Sequence, residues 1–92
     1  MYRSVQAGGM EHMKYTVYVL KDSLGKIYKG MTQDLSRRLA QHRRGHTRTT
    51  SKMRDISVAY TEEFDTLKDA RKREVYLKSA AGRRFLKEKL GP

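Results

Sequence analysis

The chain has 92 residues, enough for one domain around one core and too few for two. Its 21 Lys and Arg against 10 Asp and Glu leave a formal net charge of +11, and nucleic acid is the partner that rewards such an excess most, because each neutralised phosphate releases condensed counterions. No run approaches the ~20 apolar residues of a membrane span, no apolar core of a signal peptide opens the sequence and cysteine is absent, so the expectation is a cytoplasmic protein with no membrane contact, disulfides or thiolate zinc.

Residues 1–13 show no hydrophobic period and contain Gly8-Gly9. They read as a flexible N-terminal extension to a domain at 14–92, and Met10 and Met13 are equally placed as natural starts. Residues 15–20, YTVYVL, have the β-branched and aromatic content of a strand. Asp22-Ser23-Leu24-Gly25 then supplies turn chemistry before a second run, KIYKGM, and together these predict a β-hairpin.

Thr32 or Asp34 can cap a helix that runs to about Arg44 and stops at Gly45. Leu35 and Leu39 mark its buried stripe. At 100° per residue Arg38 and His42 fall within about 60° of that stripe, whereas Arg37 and Arg44 point to solvent. Residues 46–54 read as an exposed cationic loop, and 56–64 as a third strand paired with the hairpin.

Thr66 and Asp69 open a second helix reaching about Ala80. Gly82 punctuates it, and residues 83–90 form a short last helix with Phe85, Leu86 and Leu90 inward. The order β-β-α-β-α-α predicts an α+β domain, a small three-stranded, mainly antiparallel sheet flanked by helices. Leu, Ile, Val and Phe supply only 17 of the 92 residues, below the roughly 20% at which highly charged chains tend to disorder. Their periodic placement, with six Tyr and five Met, predicts a folded domain of modest stability.

Glu74 is the most anomalous residue under helical geometry. Leu67, Ala70, Leu77 and Ala81 form one apolar stripe, and Glu74 lies in its middle. An unpaired carboxylate there would cost several kcal/mol or be protonated. Two readings stay open, a buried salt bridge to one of the many cations and a metal ligand at the core's edge, since Mg²⁺ commonly uses one or two protein carboxylates and keeps several waters. Tyr18 and Tyr28 read either as cross-strand aromatics or as phenols that orient or deprotonate a water. Gly30 allows close approach of a backbone or phosphate. Arg38 and His42, four residues apart, share one helix face, where a guanidinium fork suits phosphate and an imidazole can donate or accept.

The sequence resembles the GIY-YIG nucleases, a family that includes the nuclease module of bacterial nucleotide excision repair, some homing endonucleases and many short stand-alone bacterial proteins. Thr16-Val17-Tyr18 stands at the first triplet of that family and Tyr28-Lys29-Gly30 at the second. The helix from Asp34 to His42, the Arg73-Glu74 pair and the tail from Leu77 to Leu86 extend the likeness over residues 14–90. The resemblance implies a divalent-metal-dependent endonuclease acting on DNA, duplex or branched, in repair or recombination, with RNA as a further partner. It implies Tyr18 as general base, Tyr28 as a positioning phenol, Arg38 as the transition-state clamp, His42 as support for the base or the phosphate, and Glu74 as the ligand of Mg²⁺ or Mn²⁺. Lys29, Gly30, Arg38, Arg48, Lys52, Arg83 and Arg84 are the expected nucleic-acid contacts. Several relatives carry an Asn after the acidic helix. This chain has no Asn, and Ser79 is the nearest hydroxyl. The alternative is a non-catalytic nucleic-acid-binding module on the same fold.

Overall fold

The computed structural model describes residues 14–45 and 52–91. The N-terminal extension, Arg48 and most of the cationic loop expected at 46–54 lie outside them. Three strands, β1 (Tyr15–Lys21), β2 (Ile27–Thr32) and β3 (Ser57–Phe64), form an antiparallel sheet in the order β2-β1-β3. Helices α1 (Leu35–Arg43), α2 (Leu67–Lys78) and α3 (Ala80–Leu90) complete the chain order β-β-α-β-α-α. The fold class read from the sequence is the one observed.

The central strand explains the layering. In β1 successive side chains point to opposite faces, and every residue from Thr16 to Leu20 is buried, so both faces need cover. Val17 and Val19 pack with Ala70, Leu77 and Leu86 from α2 and α3. Tyr18 and Leu20 pack on the other face with Ile56, Leu35 and Leu39. The weak apolar content is thus concentrated on one doubly covered strand, which is how so charged a chain sustains a core.

Local chemistry fixes the connections. Burial alone would raise the Asp22 pKa, but backbone N–H groups of Lys26, Leu24 and Arg54 outweigh it and hold the carboxyl below its usual range. The carboxylate closes the hairpin through the Leu24 and Lys26 amides, and the Ser23 amide, donating to the Arg54 carbonyl at 2.9 Å, ties the turn to the segment entering β3. Asp34 caps α1 by accepting from the Arg37 amide at 3.1 Å, and Gly45 leaves it at φ 75°. Thr66 caps α2 in the same way through the Asp69 amide.

The break between the last two helices falls at Ser79 rather than at Gly82. Ser79 is the C-cap of α2 and the N-cap of α3. Its hydroxyl donates to the Tyr76 carbonyl at 2.6 Å and accepts from the Gly82 amide at 3.1 Å. Gly82 is instead a buried contact inside α3, where an added Cβ would stand 2.0 Å from the Tyr76 carbonyl oxygen and 2.5 Å from the Leu77 Cα. The apolar stripe expected on the second helix is correspondingly shorter. Ala70 and Leu77 are fully buried, but Leu67 in the first turn is 49% exposed, and Ala81 is exposed because it belongs to α3.

A second polar anchor joins β3 to the helices. The Arg73 guanidinium donates to both carboxylate oxygens of Glu62, at 2.8 and 3.1 Å, and lies 4.8 and 4.9 Å from the ring centres of Tyr76 and Phe85. The Tyr60 hydroxyl donates to the same carboxylate. Bidentate geometry and stacking make this a stronger tie than an ordinary surface pair. Gly82→Ala is expected to cost about 2 kcal/mol by overpacking against backbone that cannot yield, a fall in Tm of roughly 10 °C for a domain of this size. A thermal melt checks it, and an unchanged Tm would show that α2 and α3 are not packed at van der Waals contact.

Candidate active site

Tyr18 and Gly30 are paired across β1 and β2. The Tyr18 ring lies where a side chain at position 30 would be, since a Cβ on Gly30 would fall 2.5 Å from the phenol oxygen and 2.6 Å from Cζ. The close approach that Gly30 permits is therefore filled by Tyr18 itself, and Gly30 is buried. No other residue type at position 30 leaves this phenol its place.

At that place the phenol meets α1. Tyr18 and His42 are each 1% exposed, and the Tyr18 hydroxyl is 2.9 Å from His42 Nε2. Tyr28 shares this face of the sheet, its ring centre 6.2 Å from that of Tyr18 and 4.8 Å from the imidazole. Arg38, one turn before His42, is near enough to both phenols for its charge to be felt there, with Nη1 donating to Gln41 Oε1 at 3.1 Å. Helical spacing from Leu35 and Leu39 is what places these two residues at the border of the core while Arg37 and Arg44 stay exposed.

Electrostatics assigns the protons. Burial and then the Arg38 charge hold the His42 imidazole below its ordinary range, so the ring is neutral near pH 7. Burial raises the Tyr18 pKa, Arg38 opposes the rise, and Tyr28 and Glu74 add to it; the net shift is upward. The phenol is thus protonated at rest. A neutral imidazole carries one ring proton, and a phenol donating to His42 Nε2 is the arrangement that a proton relay needs. That arrangement puts the ring proton on Nδ1.

Glu74 lies on α2 with 17% of its side chain exposed, near enough to Tyr18 for its charge to be felt there. It pairs with two exposed cations of its own helix, Lys78 Nζ at 3.3 Å and Arg71 Nε at 3.8 Å. Such exposed pairs hold weakly. The carboxylate therefore has its charge balanced without being locked in place. Among the described residues no group of three or more His, Cys, Asp or Glu could hold a metal ion. A single hard oxygen donor of this kind fits Mg²⁺ or Mn²⁺, which retain water and take substrate oxygens, and does not fit Zn²⁺ with its protein-rich shell.

The expected nucleic-acid contacts divide between the two faces of the sheet. Arg38 belongs to the cluster. Lys29 does not, because it pairs with Val19 and shares that residue's face, toward α2 and α3. Burial, then the charges of Arg83 and Lys78, lower its pKa there. Arg83 is in the same neighbourhood and donates to the Lys78 carbonyl, Arg84 and Lys52 are exposed, and Arg48 lies outside the described residues. The Ser79 hydroxyl is committed to two helix caps, so it does not take the place of the Asn found in several relatives. Two contributors went unread in the sequence. Gln41 was signalled by its spacing of three from Arg38, and Glu62 by a carboxylate at an inward position between Tyr60 and Phe64.

Comparison with known proteins places the fold. Residues 14–88 match the GIY-YIG catalytic domain. A UPF0213 protein of Staphylococcus saprophyticus is 32% identical over 75 residues, covering 80% of this chain and 92% of that protein. A UPF0213 protein of Staphylococcus aureus is 34% identical over 64 residues, covering 68% and 78%. The solution NMR structure of a UPF0213 protein from Bacillus halodurans superposes with a TM-score of 0.54 at 27% identity, covering 87% of this chain and 89% of that one. With the family match spanning nearly all of the described domain, the chain belongs to the GIY-YIG family, a nuclease fold family.

Proposed function

We propose that the protein is a divalent-metal-dependent endonuclease that hydrolyses DNA phosphodiester bonds, with residues 14–92 as its nuclease domain. The observation that carries this reading is the buried Tyr18–His42 pair, with the Arg38 charge close to both phenols. A purely structural tyrosine needs neither a neutral imidazole partner nor a guanidinium beside it. We place its action in the cytoplasm, in DNA repair or recombination, on duplex or branched DNA, with RNA as the comparison substrate.

The residues act as follows. Because the Tyr18 phenol is protonated at rest, it takes the proton of the attacking water as it passes its own to His42 Nε2, so no standing phenolate is required. Arg38 stabilises negative charge that develops on the phenol oxygen and on the phosphoryl oxygens. Tyr28 positions the water or a phosphate oxygen. Glu74 would hold Mg²⁺ or Mn²⁺, and the bound ion supplies Lewis-acid stabilisation of the phosphoryl and departing 3′ oxygens. Exposed cations such as Lys52 and Arg84 add non-specific attraction for the backbone.

One observation favours the second reading, a nucleic-acid-binding module without turnover. The chain lacks Asn, and the nearest hydroxyl, Ser79, is used as a double cap. Supercoiled plasmid with Mg²⁺ separates the two. Cleavage is expected for the native protein, lost with Glu74→Ala and reduced at least about 100-fold by Tyr18→Phe. Equal cutting by all three proteins, or none with either metal, would overturn the enzymatic reading. Salt-sensitive binding unchanged by Glu74→Ala would establish the second.

The neutral imidazole also has a consequence for stability. The ordinary His value is 6.5 and the folded value is lower, so below pH 6.5 the unfolded chain binds a proton that the folded one resists. Stability is expected to be full above that pH and to decline as pH falls through the folded value. Urea midpoints between about pH 7.5 and about pH 5 should fall more steeply for the native protein than for His42→Gln. Identical slopes would contradict a buried neutral His42.

A further inference from the structure

On the face of the sheet away from Tyr18 lies a groove of about 310 Å³, at the lower end of the ~300–1,000 Å³ range of ligand-holding clefts. Lys21 and Lys29 line it from β1 and β2, and Arg83, Leu86, Lys87 and Leu90 from α3. The α3 residues are spaced as one helix face. Among the described residues four cations and no carboxylate line the groove, together with the aliphatic side chains of Ile27, Leu86 and Leu90.

We propose that this groove docks an acidic peptide segment of a partner protein, with carboxylates on the rim cations and an aliphatic side chain on Leu86 and Leu90. Charge complementarity selects the occupant. Lys21, Lys29, Arg83 and Lys87 gather on the groove with no carboxylate among its described lining residues to balance them. A nucleic-acid strand answers the charge but not the aliphatic lining, because none of the described lining residues is aromatic and able to stack a base and phosphates gain nothing from covering leucine. A peptide alternating carboxylates with aliphatic residues answers both. Ile27, which also lines the groove, is 39% exposed and adds apolar surface at its edge. None of the groove residues takes part in the Tyr18 cluster, so the site works as a recruiting surface whether or not the domain cuts DNA.

Fluorescence anisotropy with a labelled peptide alternating aspartate and leucine tests the proposal. Binding is expected, weakened at least about tenfold when every aspartate becomes asparagine, when every leucine becomes serine, or when the protein carries Lys21→Glu with Lys87→Glu. On the native protein, amide NMR shifts should concentrate at Ile27, Leu86 and Leu90 and spare Tyr18 and His42, a readout independent of how well the variant folds. No binding, equal binding of the asparagine peptide, or shifts confined to the Tyr18 face would overturn it. So would displacement of the peptide by a short DNA duplex whose own binding is weakened by the same two substitutions, which would make the groove a nucleic-acid surface.

Discussion

The structure depends on a cross-strand pair in which one member has no side chain. Tyr18 is buried at the centre of the sheet, and its phenol reaches His42 only because Gly30, opposite it on β2, leaves the space open. A methyl group at position 30 would have to displace the ring, and with it the hydroxyl that meets His42. The hairpin register is thus a chemical requirement as much as a structural one. The Asp22 turn, which sets that register, and the Asp34 cap, which starts α1 in phase, serve the same cluster from a distance.

The two faces of β1 do different work. One carries the apolar core under α2 and α3, reinforced by Glu62 and Arg73. The other carries a small apolar group and the polar cluster, with Tyr18 belonging to both. Burying a tyrosine, a histidine and part of an arginine together is tolerable because the Tyr18 hydroxyl meets His42 Nε2 and the Arg38 guanidinium donates to Gln41. The same burial keeps the imidazole neutral and the phenol protonated, the states in which a proton can pass from one to the other. Glu74 joins from α2 through charge rather than contact, which suits a ligand whose partner is an ion and substrate.

Much of this was legible in the sequence because it rests on short-range periodicity. Period-two alternation in YTVYVL puts Tyr18 on the face opposite Val17 and Val19, and helical spacing separates Arg38 and His42 from Arg37 and Arg44. What escaped was set by contacts between elements. Gly82 looked like a helix breaker, but its role is to let α3 meet the end of α2, while Ser79, which caps both helices, carried no sequence signal stronger than other serines. Ala81 looked continuous with Leu77 until the helix ended between them. Lys29 was grouped with its neighbour Gly30, although the alternation that served for Tyr18 also sends these two to opposite faces. The Glu62–Arg73 pair links residues 11 apart, beyond the reach of any one-element pattern.

The central claim is that His42 is a neutral acceptor for the Tyr18 phenol. Nitrogen-15 NMR of the His42 ring tests it directly, because the chemical shifts of the two nitrogens report both tautomer and protonation. The expected result is a proton on Nδ1, an unprotonated Nε2 and titration below the ordinary value of 6.5. A proton on Nε2 at neutral pH, or titration above 6.5, would contradict the proton path from water through Tyr18 to His42.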